Sequence, residues 1–197
     1  LFVFLRRLLQ DYPSFLSLCA VLLFTVHPIH TEVVANIKGR DDLLAFLYVL
    51  LSGWCLLLYL DRGKIRFMVF ASVLFFCAIA SKESAITFVG LFPVALWIFR
   101  KESLHRISRV HVPLLGAAFG YLALRYFVYA SLGSDQGPMA SQLNNPLLYE
   151  GAIDRITTAC TVFVLYMKLL IFPHPLLADY SFNTVPVHSF TDLFGFL

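Results

Sequence analysis

Residues 42–60 read DLLAFLYVLLSGWCLLLYL, a run in which only the first residue is charged. An α-helix rises about 1.5 Å per residue and needs about 20 apolar residues to cross the hydrocarbon of a bilayer. The run therefore predicts a membrane-spanning helix. Five more runs of this kind occupy roughly 14–27 (starting after Pro13), 67–81, 85–99, 112–131 and 156–172, and a seventh begins near 191 in SFTDLFGFL. These runs are apolar on both faces, whereas a barrel strand alternates. The fold class is all-α polytopic membrane protein, a bundle of about six to seven transmembrane helices.

Composition agrees. The 197 residues are 59% hydrophobic and 14% charged, against roughly a quarter charged in soluble domains. The chain opens on Leu1 rather than Met, and its last apolar run stops early. Residues 1–197 are accordingly read as an internal piece of one transmembrane domain. Cys19, Cys55, Cys77 and Cys160 fall in four different apolar runs. That spacing is neither a disulfide framework nor a metal motif, and packing as small apolar residues accounts for them.

Loop cations set an orientation. Arg6, Arg7, Arg62, Lys64, Arg66, Arg100, Lys101, Arg106 and Arg109 fall on one side. They predict a cytoplasmic face and are read as ordinary loop charges. They also account for the net charge of +3, so nucleic acid is not an expected partner. The connector 28–41, the turn SKES (81–84) and the loop 131–155 then share the external or lumenal side. Residues 173–190 are rich in aromatics and prolines, and their side stays open.

Immediately before the decisive run lies HPIHTEVVANIKGRDD, residues 27–42. Charged groups at a membrane are costly, which makes them functional candidates by default. On the external side they are His27, His30, Glu32, Lys38, Arg40, Asp41, Asp42, Lys82, Glu83, Arg125 and Arg155. Pro28 ends the helix that carries His27, and Thr31 is expected to cap the next turn of helix. His27, His30 and Glu32 offer ligands for a divalent cation, but H-x-x-H-x-E is not a standard zinc pattern. The competing readings are plain helix-ending polarity and the rim of an active site. Asp41 and Asp42 suit the N-terminus of the helix they open, and Arg40 presents a planar fork suited to phosphate. Lys82 and Glu83 sit in a very short turn, where an internal ion pair competes with a phosphate contact by Lys82. Ser81 or Ser84 is expected to cap the helix 85–99. Arg125 and Arg155 read either as interfacial anchors or as parts of the same constellation. Together these groups suit an anionic, lipid-linked substrate: cations hold its phosphate and a carboxylate takes a proton from an acceptor hydroxyl.

The stretch LLFTVHPIHTEVVANIKGRDDLLAFL resembles the membrane region of the transmembrane and tetratricopeptide-repeat proteins, whose pattern reads HPxHTEaVa…GRadlLa. SKESAIT resembles their second signature, SKEqgiT, with Ser84 and Ala85 in place of the commoner Gln-Gly. NNPL…KLLIFPHPLLADYSFNTVPV resembles the family's next segment. Asp42 falls on the family's Asp and Asp41 on a variable position. The resemblance implies a type C glycosyltransferase fold that uses a polyprenyl-phosphate sugar donor, with mannose the implied sugar, and a protein hydroxyl as acceptor. It also implies tetratricopeptide repeats beyond the membrane part. The family's catalytic carboxylate lies in an earlier external loop, so the catalytic base is unassigned here. The membrane implied is the bacterial inner membrane or the endoplasmic reticulum.

On this reading Arg40 and Lys82 pair with the donor phosphate, while Glu32 and Asp42 orient those cations or the acceptor. Two other functions fit parts of the pattern. A transporter or flippase would use intramembrane charge, although polar groups near mid-bilayer are then expected. A non-catalytic membrane anchor for a repeat domain would tolerate loss of the external charges.

Overall fold

The computed structural model describes residues 1–132 and 151–176, in two units that divide after Leu132. The first unit contains α1 (Phe2–Leu8), α2 (Ser14–Val26), α3 (Thr31–Ala35), α4 (Arg40–Arg62), α5 (Ile65–Ser81), α6 (Phe88–Arg100) and α7 (Leu104–Leu132). The second contains α8 (Ala152–Ile171). No strand occurs among the described residues. The expected further helix near 191, and most of the expected loop 131–155, lie outside them.

All six apolar runs are helical, but their ends and spanning power differ from expectation. Three helices are long and apolar enough to cross a membrane, over Ile37–Arg62, Glu83–Arg100 and Leu104–Ser131. A fourth is counted if Ser14–Val26 and Pro28–Ala35, bent by 52° at the break, form one broken span. α5 has 17 residues, the short limit for a span. α8 carries Asp154, Arg155 and Lys168 along its length. α7 begins eight residues before the expected start, because Ser103 Oγ accepts from the Arg106 N–H (3.4 Å) and starts a polar first turn. α6 begins later than expected, since Glu83–Thr87 winds as a 3₁₀ turn. Neither Ser81 nor Ser84 caps it. Ser81 Oγ donates to the Cys77 carbonyl, and Thr87 Oγ1 donates to the Ser84 carbonyl.

The core of the first unit forms where α4 meets α5. Val49, Leu56, Leu57, Phe75, Ala78 and Ile79 are almost wholly buried there. Small residues let the backbones approach, as they do in membrane bundles. Ser52 Oγ donates to the Ala71 carbonyl at 2.8 Å, a buried bond between the two helices. Gly53 faces the other way, where a Cβ would stand 2.7 Å from the Phe4 ring and 2.8 Å from the Phe92 ring. α7 covers this core from the α5 and α6 side with Ile107, Val110, Leu114 and Ala118. Outside it, Phe15, Leu23, Trp97, Phe119, Tyr126 and Phe127 are all more than half exposed. A soluble surface rarely exposes so many large apolar side chains; hydrocarbon is the solvent that suits them. Cys19, Cys55 and Cys77 are partly packed, while Cys160 is exposed rather than buried as expected.

Charge marks both ends of α4. Asp42 and Asp61 stand nineteen residues apart on it, about 29 Å at helical rise, which matches a hydrocarbon thickness of about 30 Å. At the far end, Asp61 Oδ2 accepts from Arg7 Nε and Nη2 (3.0 and 2.8 Å), and Asp61 Oδ1 accepts from Arg100. Arg100 also donates to the Arg7 carbonyl at 3.4 Å, and Arg7 lies 4.9 Å from the centre of the Trp54 ring. These residues were expected to be ordinary loop charges. Instead, one carboxylate ties α1, α4 and α6 together.

Candidate functional site

The site is assembled at the other end of α4. Pro28 turns the chain out of α2, and the His27 Nδ1 accepts from the Ile29 N–H (3.3 Å), capping a one-turn 3₁₀ helix over Pro28–His30. Thr31 does not cap α3 with its side chain, contrary to expectation. It is the first residue of that helix, and its hydroxyl donates back to the Pro28 carbonyl at 2.6 Å. A second one-turn helix, Ile37–Gly39, comes next, with Asn36 Oδ1 accepting from the Lys38 N–H. The connector is therefore a compact chain of short turns. It folds so closely on itself that a Cβ on Gly39 would stand 2.2 Å from the Val33 carbonyl oxygen. Backbone cannot yield there, so glycine is required.

α4 starts at Arg40, two residues earlier than expected, which sets Asp41 and Asp42 in its first turn. Lys82, in extended backbone at the end of α5, points its ammonium between them. Nζ donates to Asp41 Oδ2 and to Asp42 Oδ2, each at 3.0 Å. The Asp41 Oδ1 also accepts from the Asp42 N–H. The carboxylates of Asp42 and Asp41 push the Lys82 ammonium above its ordinary range. One residue later, Glu83 pairs with Arg125 of α7 and accepts from the Tyr121 hydroxyl at 3.4 Å.

Asp42, Lys82, Glu83 and Arg125 thus come together, with Asp41 and Tyr121 added to them. Of the two readings of Lys82, the structure contains the ion pair. His27 and His30 form a separate aromatic patch: the His30 ring lies 4.2 Å from Phe24 and 6.1 Å from His27, and Phe24 stacks on Phe46 at 5.4 Å. Glu32 is exposed and joins no ion pair among the described residues. No three His, Cys, Asp or Glu side chains converge as a metal set among the described residues. Arg155 is exposed in the first turn of α8, beside Asp154, in the other unit.

Arg40 and its near neighbour Lys38 differ from Lys82 and Arg125 in having no carboxylate partner among the described residues. The Arg40 Nε donates to the Ile37 carbonyl at 3.1 Å, which steers the guanidinium. Arg40 is exposed.

Several named proteins are similar to this sequence. The chain is 29% identical to the protein O-mannosyl-transferase TMTC3 of Mus musculus across 97% of its length, and 30% identical to the protein O-mannosyl-transferase Tmtc2 of Drosophila melanogaster across 86%. A 38% portion of it is 45% identical to the protein O-mannosyl-transferase TMTC4 of Mus musculus. The chain belongs to the TMTC family. It spans 23%, 19% and 11% of these three relatives. No family-wide sequence profile matches the chain, and no solved structure does.

Membership in the TMTC family brings the motif positions and the geometry into contact. Asp42 and Lys82, one from each signature, meet directly. Asp41, on a variable position of the family pattern, makes the same contact at the same distance. Its part was not legible from the pattern. The available signal was its place beside Asp42 at a helix start, opposite a lysine trapped in a short turn.

Proposed function

We propose that this TMTC chain is part of a membrane glycosyltransferase. In this reading it moves mannose from a polyprenyl-phosphate donor to a protein hydroxyl on the lumenal side of the endoplasmic reticulum membrane. The whole domain is a type C bundle of six to seven spans. The observation that carries the reading is the pairing pattern at one end of α4. Lys82 and Arg125 are neutralised by carboxylates, and Arg40, the first residue of α4, is not. The names of the animal relatives support mannose and a protein acceptor.

The chemistry follows from charge. The acceptor oxygen attacks the sugar's anomeric carbon, the bond from that carbon to the phosphate oxygen breaks, and a carboxylate takes the hydroxyl proton. Negative charge grows on the leaving phosphate. A guanidinium fixed in advance stabilises that charge without reorganising, and its fork fits two phosphate oxygens. Lys82 acts differently, holding the end of α5 against the start of α4 so that the connector keeps Arg40 in place. His30 and Phe24 offer an adjoining apolar face for the carrier or the acceptor.

The test is sugar transfer from a labelled polyprenyl-phosphate mannose in liposomes, using the protein that contains this chain. Wild type should transfer, and Arg40→Ala should lose most of the rate while keeping its thermal stability. Movement of the lipid across the bilayer without transfer would replace the reading with a flippase. Binding that is equal in both proteins, again without transfer, would replace it with an anchor.

A further inference from the structure

The turn between α4 and α5, DRGKIRF (61–67), sits at the end of α4 opposite the candidate site. Gly63 closes α4 with a φ of 67° and its N–H donates to the Tyr59 carbonyl, so the chain reverses in two residues. Arg62, Lys64 and Arg66 are all exposed on this tip. The guanidinium carbons of Arg62 and Arg66 lie 5.8 and 5.0 Å from the centre of one ring, that of Phe67. A single aromatic ring thus gathers two cations.

These charges are left unbalanced. The adjacent carboxylate, Asp61, is already shared by Arg7 and Arg100. Among the described residues Arg62, Lys64 and Arg66 have no carboxylate partner. Three like charges within five residues repel one another, and an anion between them removes that cost. The position selects the anion. About 30 Å of helix separates this tip from Asp42, so a bilayer that has the candidate site at one surface has this tip at the phosphate layer of the other. Phe67, half-buried at the start of α5, suits the boundary between headgroup and hydrocarbon.

We propose that the Arg62–Phe67 tip is a binding site for the headgroup phosphate of an anionic membrane lipid. The two guanidiniums and the Lys64 ammonium take the phosphate oxygens, and Phe67 lies against the upper acyl chains. This goes beyond the transferase reading and does not require it. An anionic leaflet on that side would fix the depth of the α4–α5 pair, and with it the height of the connector at the far end.

The test uses the purified protein that contains this chain, in a nonionic detergent, titrated with short-chain phosphatidylserine or phosphatidylcholine, with bound lipid counted by native mass spectrometry. Replacing Arg62, Lys64 and Arg66 together by Gln should weaken phosphatidylserine binding about a hundredfold, taking about 1 kcal/mol per basic residue. Replacing Arg6, Lys101 and Arg109 by Gln removes equal charge from the same end and should weaken it far less. Phe67→Leu keeps every charge and should give a smaller, measurable loss. Equal losses in the two charge variants would overturn the proposal, as would no loss in the first. Displacement of the lipid by inorganic phosphate at matched ionic strength would also overturn it.

Discussion

Lys82 and Glu83 are neighbours in sequence and pull in opposite directions. Lys82 reaches α4, where Asp41 and Asp42 each hold it at 3.0 Å, and Glu83 reaches Arg125 on α7. The short turn between α5 and α6 is thereby stretched between two helices. The arrangement orders the polar end of the bundle and neutralises Lys82 and Arg125.

Removing Lys82 leaves two adjacent carboxylates facing each other. The side chains are 37–43% exposed, so solvent screening limits the loss to about 0.5–2 kcal/mol. Lys82→Met should lower the melting temperature in detergent accordingly. Adding Asp41→Asn and Asp42→Asn to it should recover most of the loss, because the repulsion is then gone. A triple variant no more stable than Lys82→Met would rule out the clamp.

The same contact has a pH signature. The Lys82 pKa is raised in the folded protein. Its stabilisation is therefore complete below the ordinary lysine value of about 10.4 and disappears as pH rises through the raised value. Thermal melts should show this alkaline limb in wild type and lack it in Lys82→Met.

The opposite end of α4 should be less forgiving. Arg100's side chain is only 5% exposed and Asp61's is 25%. Asp61→Asn strands a nearly buried guanidinium, a loss of about 2–4 kcal/mol. Glu102→Gln removes a pair whose Arg106 is 59% exposed and should cost no more than about 0.5 kcal/mol. Comparable melting temperatures for the two variants would contradict the asymmetry.

Gly39 reports on the connector alone. Gly39→Ala places a methyl against the Val33 carbonyl, and the short turns must then separate. Limited proteolysis should open a site within 31–40 while the unfolding free energy of the α4–α5 core stays within about 1 kcal/mol of wild type. An unchanged digestion pattern would show that the connector is looser than described.

Hydropathy alone located the six long apolar helices, because runs such as 42–60 have no other stable home, but not the short α1. It misjudged ends where polar side chains wind the helix, as in the Arg106 turn that opens α7, and where residues 83–87 wind as a 3₁₀ turn before α6. Loop charge and parity brought Asp42, Lys82, Glu83 and Arg125 to one end. Partner choice was not legible, since Lys82 and Asp41 are 41 residues apart and pairing depends on how α5 packs on α4. The Asp61 cluster was missed for the same reason. A loop charge looks ordinary until tertiary packing brings two arginines to it.

The most direct test of the account is a donor titration of mannosyl transfer with Arg40→Gln. The account predicts a fall in kcat/KM for the polyprenyl-phosphate donor of at least about tenfold, the equivalent of one lost charge-assisted contact, with an unchanged melting temperature. An unchanged kcat/KM would contradict the assignment of Arg40 to the donor phosphate.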